Sequence, residues 1–201
     1  MVIFLLLFKK GFAKKKKIIR DYNSTSSFYD KRYEEIQKQK LKLILNNFNQ
    51  NNKFIIDAGC GTGFLIEFLA FEKEVKYSFC YIGLDISWMM LKEFYHKLER
   101  FKIKMNINLI LSDIEYLPLR SNIFDSIFSI TAFQNLGNHQ LGLKELVRTA
   151  KNRAEFNLSI LKKKIKLKKL IKYIKVYIQD IEVKSIENLE DFIIQGFILK
   201  H

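Results

Sequence analysis

The stretch Ile55-Ile56-Asp57-Ala58-Gly59-Cys60-Gly61-Thr62-Gly63 decides how this chain of 201 residues is read. Two β-branched residues close a short apolar run, an acid follows, and three glycines then alternate. Such a run suits a parallel strand buried on both faces, and the glycines break it into a tight turn. Phe64-Leu65-Ile66-Glu67-Phe68-Leu69-Ala70 comes next, with helical spacing and no breaker. A strand, a glycine turn and a helix N-terminus together make a nucleotide pocket. The glycines let the backbone approach the ligand, and the first-turn N–H groups lack intrahelical partners.

Glycine spacing separates the nucleotide families that use this turn. The dinucleotide fingerprint G-x-G-x-x-G, begun at Gly59, needs glycine where this chain has Phe64, which argues against a nicotinamide oxidoreductase. What stands here is Asp57-x-Gly59-x-Gly61-x-Gly63. It resembles motif I of the class I S-adenosylmethionine-dependent methyltransferases, with Cys60 and Thr62 in its variable slots. The resemblance implies S-adenosylmethionine as cofactor, with Asp57 orienting its methionine end.

Three more blocks resemble that family, in the same order. The apolar run Phe79-Cys80-Tyr81-Ile82-Gly83-Leu84 ends in Asp85 and Ile86. By resemblance Asp85 takes both ribose hydroxyls; the alternative makes it the N-cap of the next helix, a role for which Ser87 competes. The run Ile107-Asn108-Leu109-Ile110-Leu111 leads into Ser112, Asp113 and Ile114. By resemblance the Asp113 side chain and the Ile114 N–H meet the adenine edge. The segment from Asn122 to Thr131 is similar to the family's fourth strand and brings Ser129 into the expected cofactor site. The likeness covers roughly residues 53 to 135 and is closest to the broad type 11 group, which includes quinone-biosynthesis-like members.

The rest of the pattern fits the same architecture. Leu141 to Ala150 reads as a helix, Glu155 to Leu161 alternates like a fifth strand, and Lys162 to Lys175 reads as an amphipathic helix with lysines outward. Residues 181–185 and 191–198 suit a closing pair of strands. Strands alternating with helices argue an α/β fold. The expectation is a Rossmann-like, mostly parallel seven-stranded sheet with helices on both faces and the last strand antiparallel. Were the run Phe192 to Ile198 at a sheet edge, it would be a docking strand for a small activating subunit, which some relatives need.

Residues 1–21 read as a basic and apolar extension, and residues 22–201 as the methyltransferase domain. Val2 to Phe8 is too short to span a bilayer, and its positive charges follow it, which argues against a signal peptide and for a cytoplasmic protein. Lys14 to Lys17 make residues 1–20 either an anchor on acidic lipid, or a helix packed on the domain or a poorly ordered extension. Tyr29-Asp30-Lys31-Arg32-Tyr33, within residues 22–48, resembles the cap helix that folds over the cofactor in type 11 members, and puts Tyr29 and Tyr33 at the cofactor. An aromatic staple holding a helix on the core is the alternative.

A formal net charge of +14 directs attention to nucleic acid, although lysine supplies most of it and no RNA-binding module accompanies it. Two dense patches, Lys9 to Lys17 and Lys162 to Lys175, form an RNA track if both face the cofactor mouth, and solvated surface otherwise. Cys60 and Cys80 have no metal-ligand neighbour at useful spacing, so no metal is expected and both thiols read as reduced and structural. His139 reads as an exposed loop histidine.

The acceptor side is thinner. Ligands of open α/β sheets sit at the carboxyl ends of the strands, which places Thr131, Gln134 and Asn135 at the mouth. Gln134 and Asn135 either hydrogen-bond an acceptor or cap the following helix. The Asn/Asp-Pro-Pro-aromatic box of amino-methylating relatives is missing from Ser129-Ile130-Thr131-Ala132. RNA, protein and small molecules stay open as acceptors, and so does a non-catalytic S-adenosylmethionine-binding subunit or sensor.

Overall fold

The computed structural model describes residues 12–46, 48, 54–71, 79–103, 105–187 and 189–200, so the Val2 to Phe8 run lies outside the described residues. The chain opens with α1 (Phe12–Ile44) and continues through β1 (Phe54–Ala58), α2 (Phe64–Phe71), β2 (Cys80–Asp85), α3 (Trp88–Arg100) and β3 (Asn106–Leu111). The second half holds β4 (Phe124–Ile130), a 3₁₀ turn (Phe133–Asn135), α4 (His139–Thr149), β5 (Ala150–Leu161), α5 (Leu167–Ile174), β6 (Ile178–Ser185) and β7 (Asp191–Ile198). One seven-stranded sheet results, in the order β3-β2-β1-β4-β5-β7-β6. β1 to β5 pair in parallel, and β7 runs antiparallel to both of its neighbours.

Both faces of this sheet are covered, which is why the central strands read as continuous apolar runs. Ile55 packs with Leu41, Leu69 and Phe94 under α1, α2 and α3, while its neighbour Ile56 packs with Leu143, Leu146 and Leu158 beneath α4. Side chains alternate across a strand, so consecutive residues feed opposite cores. α5 is shorter than its lysine-rich pattern suggests. It spans Leu167–Ile174, with Leu170 and Ile174 buried, and Lys162–Lys164 form a separate 3₁₀ turn.

Two features depart from the sequence reading. β7 lies between β5 and β6 and its Ile193 and Ile194 are buried, so Phe192 to Ile198 is no edge strand and is closed to a docking subunit. Strand order is set by which partner buries more apolar surface, and this is not written in β7 itself. In addition, α1 runs unbroken from Phe12 to Ile44, so the boundary drawn at residue 21 falls inside a helix. The strand order reverses between β1 and β4, and the crevice outside their carboxyl ends is where an open α/β sheet takes its ligand.

Candidate functional site

The turn after β1 opens that crevice. Gly59 and Gly63 hold φ +84° and Gly61 holds +54°, the left-handed region that side chains disfavour. A Cβ on Gly59 would stand 2.2 Å from Ala132 Cβ, and one on Gly63 would stand 2.3 Å from the Phe94 ring. The first glycine therefore lets the loop press on the segment after β4, and the third seats it on α3. Gly61 lies in open space, and its N–H donates to Asp85 Oδ2 at 2.9 Å.

A narrow cavity of about 80 Å³ sits above this loop, lined by Gly59, Gly61, Asp85, Ile86, Asp113 and Ile114. Ser87 is the N-cap of α3, its Oγ accepting from Met90 N at 3.2 Å, which frees Asp85 from that role. Asp85 Oδ1 accepts from Ser87 N at 2.8 Å, so each carboxylate oxygen keeps a further lone pair for a ligand hydroxyl. Burial raises its pKa to about 6 against the backbone hydrogen bonds that lower it.

α1 supplies the opposite wall through Lys15, Ile18, Tyr22 and Tyr29. Lys15 Nζ lies 2.5 Å from Asp113 Oδ2 and 2.9 Å from Glu115 Oε2. Burial pulls the Lys15 pKa down, but the two carboxylates outweigh it and hold it above its ordinary value. The first turns of α1 are thus latched onto the carboxylate that the sequence assigns to adenine. Lys15→Gln is expected to speed S-adenosylmethionine association several-fold in a stopped-flow measurement. An unchanged rate would mean that these turns do not gate entry.

Asp57 lies one layer deeper, in a small cavity it shares with Tyr29, Gly59 and Gly61. Its Oδ2 accepts from the Tyr81 hydroxyl at 2.6 Å, while Oδ1 is buried without a partner. Burial raises its pKa to about 7. An orphaned carboxylate oxygen at the glycine loop suits a cationic amine, and the methionine end of S-adenosylmethionine carries one. The carboxylate is the competent form, so affinity should grow as pH rises through 7. We expect about a tenfold gain in S-adenosylmethionine affinity from pH 6 to pH 8, flattened in Asp57→Asn, by calorimetry across that range.

The other sequence candidates divide between structure and site. Ser129 is buried and donates to the Ala58 carbonyl at 2.9 Å, so it ties β4 to β1. Cys60 is buried, and desolvation pushes its thiol well above the usual range, in keeping with a structural loop residue. Tyr33 lines the neighbouring cleft instead of the cofactor cavity, whereas Tyr29 borders both. The Tyr29 ring packs tilted against Tyr33, centroids 4.7 Å apart, and Phe64, 6.4 Å apart, so it is at once a staple and a cavity wall. Among the described residues, no three His, Cys, Asp or Glu side chains group as metal ligands, and no helix is long and apolar enough to cross a membrane.

The neighbouring cleft is larger, about 710 Å³, and runs between one face of α1 and the carboxyl ends of β4, β5 and the start of β7. Tyr22, Tyr29, Thr131 and Asn135 line both spaces. Thr131 holds φ +57°, and a buried network fixes it there. Lys40 Nζ donates to Thr131 Oγ1 at 2.8 Å and lies 3.0 Å from Asp191 Oδ1, while Thr131 and Ser159 both donate to Asp191 Oδ2. Gln134 donates to the Thr131 carbonyl and Asn135 to the Tyr22 hydroxyl. Neither caps α4, whose N-cap is Asn138. His139 is half-buried, with Nε2 enclosed and unpartnered, and desolvation lowers its pKa. Sequence missed the Lys40–Asp191 pair and the placement of His139, because both follow from contacts between distant segments.

A family model described as a methyltransferase domain matches residues 49–190. The chain belongs to that methyltransferase family. An uncharacterized protein of Methanocaldococcus jannaschii is 30% identical over 82% of this chain, which spans 64% of that relative's length. A S-adenosylmethionine-dependent methyltransferase from Aquifex aeolicus superposes with a TM-score of 0.65 at 21% identity, covering 96% of this chain and all of that one. The methyltransferase chain in a complex with the Haloferax volcanii Trm112 activator gives 0.70 at 14% identity, over 89% and 98%. These superpositions establish the fold.

Proposed function

We propose that this methyltransferase-family protein is an S-adenosylmethionine-dependent enzyme that methylates an acceptor held in the α1 cleft. One observation carries the reading: a narrow cavity at the glycine loop, walled by a capping-free Asp85 and backed by a smaller cavity with an orphaned Asp57 oxygen, opens beside a separate cleft, with Thr131 and Asn135 common to both. A non-catalytic binding subunit has no use for the second space.

Gly59 and Gly61 would shape the loop against the cofactor, Asp85 would hold the ribose, and Asp113 with Ile114 would hold the adenine. The bound sulfonium supplies an electrophilic methyl group. The work left to the chain is orientation, since holding two reactants in line removes most of the entropic barrier. Thr131, set between the spaces, positions the acceptor; Gln134 and Asn135 brace that wall. His139 offers an unpartnered Nε2 to a departing proton.

A cytoplasmic location goes with this reading, and so does a small activating subunit, on the likeness to the methyltransferase bound to Trm112. Such a subunit would meet β3 or β6, the free edges of the sheet, and not β7. Calorimetric titration with S-adenosylmethionine and with NADH tests the cofactor, followed by labelled-methyl transfer to RNA, protein and metabolite pools. Binding of S-adenosylmethionine alone with transfer to one pool supports the enzyme. Binding without transfer to any pool favours the sensor, and no binding removes the cofactor assignment.

A further inference from the structure

The acceptor cleft continues into a second groove of about 670 Å³, and the two share His139 and Lys164. Their charge is one-sided. The carboxylates along the first cleft are engaged locally: Glu190 pairs with Lys163 at 2.9 Å, Asp191 with Lys40 at 3.0 Å, and Asp21 faces Arg20 at 4.0 Å. Lys17, Arg32 and Lys164 have no carboxylate partner among the described residues. The second groove adds Lys166 and Lys169 and is lined by no acid. Both dense lysine patches of the sequence, one on α1 and one before α5, therefore border a single continuous path that begins at the cofactor cavity.

The wall of α1 adds flat apolar surface to this path. Phe28 is 57% exposed, and Tyr22, Tyr33 and Ile36 follow on the same helical face. One small anion needs one or two cations. Five unneutralised cations spaced along two contiguous grooves, beside exposed rings, match a repeated phosphate with bases that stack. We propose that this path binds a single-stranded nucleic acid, which presents the methyl acceptor at Thr131. The inference rests on the methyl-transfer reading and names its acceptor class. Unpaired strands suit it because their bases are free to leave the stack and lie on aromatic side chains.

The test is fluorescence anisotropy of the whole chain with a labelled 12-nucleotide oligouridylate across a salt series. Each single-strand phosphate contact contributes a slope of about −0.7 in log K against log salt, so five contacts give about −3.5. Lys164→Gln/Lys166→Gln/Lys169→Gln should weaken binding at least tenfold and flatten the slope by about 2. Phe28→Ala should weaken it about tenfold through lost stacking. The control is Lys31→Gln/Lys42→Gln/Lys92→Gln, which removes the same charge from exposed positions off the path and should keep the affinity of the parent.

Equal losses in the two triple variants would reduce the effect to diffuse charge and overturn the proposal. So would uridine monophosphate competing as well as the oligonucleotide, which would point to a small anionic acceptor, or the absence of any binding. S-adenosylmethionine titration of the same variants separates this outcome from failure of the cofactor assignment. Retained cofactor binding with no oligonucleotide binding refutes the strand alone.

Discussion

Asp85→Ala is expected to weaken S-adenosylmethionine binding about a hundredfold or more. The carboxylate already accepts from Gly61 N and Ser87 N, one on each oxygen, and these bonds aim its remaining lone pairs at the cavity. Two ribose hydroxyls donating there make hydrogen bonds to a charged acceptor, each of about 1.5–3 kcal/mol. Their joint loss gives the stated factor even at the low end. The fold should tolerate the change, because Ser87 and not Asp85 caps α3. Some loosening of the glycine loop follows from the orphaned Gly61 N–H, so thermal unfolding should be measured beside the titration. Asp85→Asn is not a rescue: its amide group must face either Gly61 N–H or Ser87 N–H, donor against donor. Affinity within threefold of the parent, in a variant that melts normally, would remove Asp85 from the ribose role.

Asp85 and Asp113 were legible because parallel strands leave a plain signal, partly buried at β2 and apolar even at the exposed edge strand β3. Each is an apolar run that stops at an acid, and the acid stands where the strand leaves the sheet. Gly59 was legible for a similar reason, since only a residue without Cβ fits 2.2 Å from Ala132. The role of α1 was half legible. The Tyr29–Tyr33 pair marked a cap, but nothing in Lys14 to Lys17 announces that Lys15 meets Asp113 across 98 residues of chain. The bond from Ser129 to Ala58 was not legible, because adjacent strand residues face opposite sides and alternation alone does not say which side meets the ligand. The interior position of β7 was hidden for the reason that hides any strand order: it depends on β6 having an outer place to go.

The largest stability effect should come from Lys40. Its side chain is only 3% exposed and reaches from α1 to Asp191, which is equally enclosed at the start of β7. Desolvation lowers the Lys40 pKa, opposed chiefly by the charge and hydrogen bond of Asp191 and further by the charge of Glu190. Lys40→Met keeps the apolar stem but strands the Asp191 carboxylate in the core, which should lower unfolding free energy by about 3–5 kcal/mol. Asp191→Asn should cost a similar amount from the other side. Lys40→Met/Asp191→Asn should recover much of the loss, because a neutral pair no longer carries an unpaired charge. Urea unfolding of the single and double variants at pH 7 gives the comparison. The same network holds Thr131 at φ +57°, a conformation that costs a β-branched residue of order 1–3 kcal/mol when unsupported. Without Lys40 and Asp191, Thr131 should relax and shift the wall shared by the cofactor cavity and the acceptor cleft. Turnover should then fall more than S-adenosylmethionine affinity, and the neutral double variant should regain stability without regaining turnover. Full recovery of both would reduce the pair to a fold-holding contact.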